Sequence, residues 1–235
     1  MARTKSRRAR KRHVQQELFR HGGKRKGAGR KPKHGRAGSA HKRRPEIKPY
    51  HALHVGMRVV SAVGNPATIT AALRERFRIV HVSIQRTHVH MLVEAENTKA
   101  LARGMQGFQI SAARHINTML GSSKRRRRGQ VFADRYHVEV ITSPRRAYHA
   151  LKYVLCNWRR HKEDQQGLAR TWLVDPFSSG ISFPDWKELQ DKDLEWSIRE
   201  TYDPLLVSPP KTWLLREAWK RHGSISARDV PSRHR

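Results

Sequence analysis

The stretch from Ile79 to Glu94 constrains the fold most. Ile79 to Gln85 alternates as a strand, with Val80, Val82 and Ile84 on one face. Arg86-Thr87 is a two-residue break, after which His88-Val-His90-Met-Leu-Val-Glu94 alternates again; the pattern predicts a β-hairpin. Successive strand side chains point to opposite faces, so His88 and His90 share one, with Glu94 two steps past Leu92 on the same side. Two imidazoles displayed that way are half of a metal site, or a pair of hydrogen-bonding strand histidines. The pair alone leaves both open.

The flanking chain reads as alternating elements. Residues 50–60 alternate as an earlier strand, and Asn65-Pro66 opens a helix through about Phe77, with Ile69, Leu73 and Phe77 at four-residue spacing. Asn97 caps a long helix to about Leu120, with Leu101, Met105, Phe108, Ala112 and Ile116 on one stripe. Val131 to Ile141 forms another long strand, with Phe132, Tyr136, Val138 and Val140 sharing a face. Ser143-Pro144 starts a helix to about Arg160 whose stripe of Ala147, Leu151, Val154, Leu155 and Trp158 packs on the sheet. The order strand, helix, strand, strand, helix, strand, helix predicts an α+β domain: one antiparallel-rich sheet with helices on a face.

Charge divides the 235 residues into three. Residues 1–48 carry 19 Lys and Arg against 2 Asp and Glu, residues 49–161 carry 19 against 5, and residues 162–235 balance 12 against 12; the net is +31. The first two-thirds suits a polyanion, nucleic acid being the usual one. Residues 1–48 read as a disordered basic arm. Within it, Lys24, Arg25, Lys26, Arg30, Lys31 and Lys33 surround a Gly-Arg-Lys-Pro core that resembles an AT-hook, against the plainer reading of a tail that holds phosphates without sequence preference. The run Lys124, Arg125, Arg126, Arg127 and Arg128 reads as an exposed loop and a phosphate clamp. Residues 49–161 form the central domain. Residues 162–235 are an extension that wraps it, anchored by Trp186, Trp196, Trp213 and Trp219, with Asp175 to Gly180 as an ordered turn and Lys211 to His222 as one short helix.

No run of about 18 apolar residues is present, so no membrane span is expected. The single cysteine, Cys156, excludes an intrachain disulfide and favours a cytosolic setting; it is expected to pack. The N-terminus has basic residues without an apolar stretch after them, which is not a secretory signal. One Cys and scattered His give no zinc-finger spacing.

The second predicted helix presents His149, Tyr153 and Asn157 at four-residue steps, hence along one side. If that side faces His88 and His90, two imidazoles and an amide oxygen hold a divalent cation against a scissile phosphate while the Tyr153 oxygen attacks phosphorus. The product is a phosphotyrosyl bond and a free hydroxyl. Tyr136 and Tyr148 are the competing nucleophiles; Tyr136 reads as core, and Tyr148 has Lys152 four residues on and no ligand partner. Glu94 either touches the metal shell or faces solvent. His149 is either a proton relay or a surface residue.

His88-Val-His90 followed by Leu-Val-Glu, with Tyr153 and Asn157 on a later helix, resembles the HUH single-strand nucleases, and among them the REP-associated tyrosine transposases. Gly104-Met-Gln-Gly-Phe108, Val131-Phe-Ala-Asp-Arg135-Tyr136-His137 and Ala150-Leu-Lys-Tyr-Val154-Leu-Cys-Asn157-Trp agree, over roughly residues 50–161. The resemblance implies a ferredoxin-like α+β fold and a Mg2+- or Mn2+-dependent nickase of single-stranded DNA, often near hairpins. It implies His88, His90 and Asn157 as metal ligands and Tyr153 as nucleophile; related insertion-sequence enzymes have Gln where Asn157 stands. It also implies a bacterial, nucleoid-associated protein, monomeric or homodimeric. The alternative is a nucleic-acid-binding protein whose active site has decayed and which uses its basic surface only.

Overall fold

The computed structural model describes residues 45–60, 76–121, 127–190, 205 and 207–232. The AT-hook-like segment, the helix expected over 65–77 except its last two residues, Lys124 to Arg126 and Trp196 lie outside them.

Four strands form one antiparallel sheet: β1 (Ala52–Arg58), β2 (Phe77–Ile84), β3 (His88–Ala95) and β4 (His137–Ile141), in the order β2-β3-β1-β4. Two long helices, α1 (Thr98–Met119) and α2 (Pro144–Arg160), follow β3 and β4 respectively. β1 and β2 both run antiparallel to β3, so they point the same way and need a crossover between them. This is the ferredoxin-like α+β arrangement. The Arg86-Thr87 turn is as short as expected, closed by the Gln85 N–H donating to the His88 carbonyl at 2.8 Å.

The helices divide between the two faces rather than sharing one. Leu53, Val55 and Met57 of β1, and Val89, Met91 and Val93 of β3, pack with Leu101, Met105, Phe108, Ala112 and Ile116 of α1. The alternate residues, Ala52 of β1 and Leu92 of β3, pack with Ala147, Leu151 and Val154 of α2. Both helices start as the sequence predicts. The Asn97 side chain accepts from the Ala100 N–H, and the Ser143 hydroxyl from the Arg146 N–H with Pro144 behind it.

Three local expectations are revised. Phe77 begins β2 instead of ending a helix, because its ring fills the space over Gly104 of α1. Val80 faces α2 while Val82 and Ile84 face α1, because a bulge between Ile79 and His81 shifts the register. The long strand expected over 131–141 is ladder-paired only from His137, with Phe132 making an isolated bridge to Val59; Phe132, Tyr136, Val138 and Val140 do share the α1 side. Burial also begins earlier than Tyr50: Ile47 lies in the core while Tyr50 is exposed.

The extension covers the free edge of β2, which would otherwise offer unpaired backbone groups. The Ile84 N–H donates to the Phe177 carbonyl and the Ser208 N–H to the Ile79 carbonyl, both at 2.8 Å. Ser179 Oγ accepts the Val82 N–H and lies 3.1 Å from His81 Nδ1. The Asp175–Gly180 turn is held by Asp175, which accepts from the Phe177 N–H and from Gln85 Nε2. Trp186 and Trp219 are buried as anchors, and Trp186 Nε1 donates to the Gly180 carbonyl; Trp213, by contrast, is half exposed. The helix expected over 211–222 is split into α3 (Trp213–Arg216) and a 3-10 turn (Ala218–His222), because Glu217 leaves helical geometry. Among the described residues, no helix is long and apolar enough to cross a membrane.

A Cβ on residue 104 would fall inside the Phe77 ring. Gly104→Ala is therefore expected to destabilise the fold by about 1–3 kcal/mol, read as a lowered Tm in thermal unfolding. Burial pushes the Asp175 carboxyl up to about 7, against the hydrogen bonds from Phe177 and Gln85. The folded state then holds a proton that the unfolded chain releases above about pH 4, so stability falls as pH rises to about 7, by at most ~1.4 kcal/mol per pH unit. Denaturant titrations from pH 4 to 8 should show that slope, and Asp175→Asn should flatten it.

Candidate active site

The residues of interest collect on the α2 side of the sheet. Strand alternation puts Ala52, His54, Gly56 and Arg58 of β1 on that side, and antiparallel pairing sets Arg58 across from His88 and Gly56 across from His90. The His88 and His90 rings stack 6.0 Å apart. A residue that the sequence did not single out, His54, stacks on His90 at 5.5 Å. Its only signal was a place in the alternation of β1. Gly56 lies directly opposite His90, where an added Cβ would stand 3.5 Å from His90 Nδ1.

α2 lays Tyr153 onto this group. The phenol ring meets His90 edge-on at 5.0 Å and His54 at 5.6 Å. The helix does lie across the His-bearing strand. Cys156 leaves helical geometry (φ −113°, ψ 15°), so the last turn carrying Asn157 and Arg160 is offset from an ideal continuation. Asn157 is fully buried, and neither its Oδ1 nor its Nδ2 has a hydrogen-bond partner among the described residues; His90 Nδ1 is in the same position. Leaving such groups unpaired costs about 1–3 kcal/mol each, so they call for a ligand or a role. His88 Nδ1 is engaged by Thr87 Oγ1 at 2.8 Å, which leaves Nε2 as its outward nitrogen.

The electrostatics favour neutral imidazoles. Burial drives His90 down to about 3, helped by His54, His88, His161 and Arg160. Burial lowers His88 too, with His161 and Arg58 adding to it. Both rings therefore offer lone pairs at neutral pH. Burial raises the Tyr153 phenol, and Arg160 opposes that rise with its guanidinium 5.9 Å from the ring. Arg58, Arg160 and His161 join His54 as residues the sequence did not single out. They were invisible as functional residues because only the register of β1 and the kinked end of α2 bring them here.

The other candidates fall elsewhere. Glu94 neither joins the histidines nor faces solvent. It is buried, pairs with Arg78 at 3.7 Å, and accepts the backbone N–H groups of Lys211 and Thr212 at 2.7–3.0 Å, because the returning extension crosses this end of the sheet. His149 is exposed on the same side of α2 as Tyr153, its ring edge-on to Tyr148 at 5.5 Å. Tyr136 is core, and Tyr148 donates to the Ser224 carbonyl with Lys152 over its ring. Cys156 is buried, its thiol pushed up to about 12 by burial. Arg127 is turned back onto α1, its N–H and guanidinium both donating to Asn117, while Arg128 is exposed. Among the described residues, no three His, Cys, Asp or Glu side chains gather on one point. Removing the Glu94 anchor by Glu94→Ala should cost about 1–3 kcal/mol and make Lys211 an early trypsin site in limited proteolysis.

Comparison with known proteins bears on these residues. No curated protein matches the chain. Among solved structures, a REP-associated tyrosine transposase bound to a REP hairpin aligns at 14% identity with a TM-score of 0.45, covering 72% of this chain and 100% of the other. The family described as IS200-like transposases matches residues 67–155. The stretch similar to that family contains His88, His90 and Tyr153, and Asn157 lies just past its end.

Proposed function

We propose that the protein is a single-strand DNA endonuclease and transesterase that works through a covalent phosphotyrosine intermediate. The observation that carries this reading is the packing of the Tyr153 phenol on His90, at 5.0 Å, within a segment of IS200-like transposase sequence. In this reading the Tyr153 oxygen attacks a backbone phosphorus and gives up its proton. The P–O bond on the far side breaks, and its oxygen takes a proton to leave as a hydroxyl. The new phosphotyrosyl ester keeps the energy of the broken bond, so a second strand end can re-attack and rejoin. Arg160, beside the phenol, balances the negative charge that builds on the phosphoryl oxygens. His54 and His90 hold the ring at its edge and limit how far it swings.

The donors fit a divalent cation. Two neutral imidazoles and a buried amide oxygen are available, and His90 Nδ1 and Asn157 Oδ1 are among the buried polar atoms that have no hydrogen-bond partner among the described residues. His88, His90 and Asn157 would hold Mg2+ or Mn2+, which supplies Lewis-acid polarisation of the scissile phosphate when bound. Glu94 takes no part, being committed to the extension.

Incubation with Mg2+ and single-stranded DNA containing hairpins should give a denaturant-resistant protein–DNA adduct, absent in Tyr153→Phe. His88→Ala and His90→Ala should abolish the adduct and leave salt-sensitive DNA binding in place. Arg160→Ala should slow adduct formation on the order of 10²-fold. DNA binding without any adduct across such substrates would overturn the reading in favour of a binding protein with a decayed site.

A further inference from the structure

Beyond Arg58 the chain leaves the ladder but not the sheet. The Val59 N–H donates to the Thr87 carbonyl, the Val60 N–H to Val131, and the Ala133 N–H to the Arg58 carbonyl. These bonds tie the end of β1 to the hairpin turn on one side and to the stretch before β4 on the other. Between them lies an open depression of about 500 Å³, lined by Arg58, Val59, Val60, Thr87, His88 and Ala133. That size is in the range of small-ligand sites. Its composition is two-sided: the half-buried Val60 and Ala133 give apolar wall over the buried Val59, while Arg58, Thr87 and His88 give a polar rim. Arg58 is exposed and has no carboxylate partner among the described residues, so its guanidinium faces the rim unneutralised. It also stands directly across from His88, the outer of the two candidate ligands.

A flat ring with an anion one bond-length series away matches those two halves. We infer that the depression is a nucleotide subsite: it takes the base of the nucleotide adjoining the phosphate at His88, while Arg58 holds that nucleotide's own phosphate. The apolar wall accepts a base face, and a guanidinium is the side chain best matched to phosphate oxygens. The position of the subsite rests on the nuclease reading, which brings the strand past His88. The consequence is a base preference at one position beside the cleaved bond, read by the body of the domain and not by the basic arm.

The full-length chain is mixed with a single-stranded DNA pool of randomised sequence around a fixed hairpin, at salt high enough to weaken phosphate contacts, and bound DNA is sequenced. The unsubstituted chain should enrich particular bases at one position. Ala133→Phe, which fills the depression, should flatten that enrichment to within twofold; Val60→Trp fills it from the other wall if Ala133→Phe does not fold. Arg58→Gln should lower retention about tenfold. No enriched position, or an enrichment that neither filling variant moves, overturns the subsite. Adduct formation with Mg2+ is scored on the same DNA. Enrichment that the filling variants abolish, without any adduct, keeps the subsite and sinks the nuclease reading; an adduct with no enrichment does the reverse.

Discussion

The arrangement depends on how α2 is held, because a helix that touches a sheet along one stripe is free to slide on it. Here three sides of the helix are spoken for. Ala147, Leu151 and Val154 pack on the sheet. A second stripe faces the extension: Tyr148 bonds to Ser224, Lys152 pairs with Asp229 at 3.0 Å, Cys156 donates to Ser226, and Arg159 donates to Ala227. Arg159 also reaches Asp164 and the Leu173 carbonyl, so one half-buried guanidinium ties α2 to three separate stretches of chain. The remaining side, with Tyr153, is the one turned to the histidines. With the helix fixed on two sides, the phenol has a defined place.

That fixity comes with local electrostatic strain. A buried amide and a buried imidazole nitrogen with no hydrogen-bond partner among the described residues are each unfavourable in an isolated domain. They occur together on one face, whereas the rest of the described interior satisfies most of its polar groups: Glu94 takes the N–H groups of Lys211 and Thr212, and Asp175 those of Phe177 and the Gln85 amide.

Much of this was legible in the sequence, for stated reasons. Strand alternation put His88 and His90 on one face, and helical spacing put Tyr153 and Asn157 on one side; both follow from backbone geometry. Ser143-Pro144 and Asn97 marked helix starts through their capping chemistry. What could not be read was register. His54 and Arg58 join the site only because β1 pairs with β3 so that Gly56 meets His90, and no local pattern specifies that offset. The bulge that turns Val80 away from Val82, and the capture of Glu94 by backbone more than a hundred residues later, are likewise products of tertiary packing.

The extension has a consequence for what counts as the domain. Its first part closes the open edge of β2, and its last part clamps the outer side of α2. The hairpin that mounts His88 is braced through Gln85 by Asp175, and the helix that mounts Tyr153 is braced through Arg159 by Ala227. Both halves of the site therefore lean on chain that comes after them. The smallest piece of this protein able to hold the site together does not stop at the end of α2; it runs past Ala227.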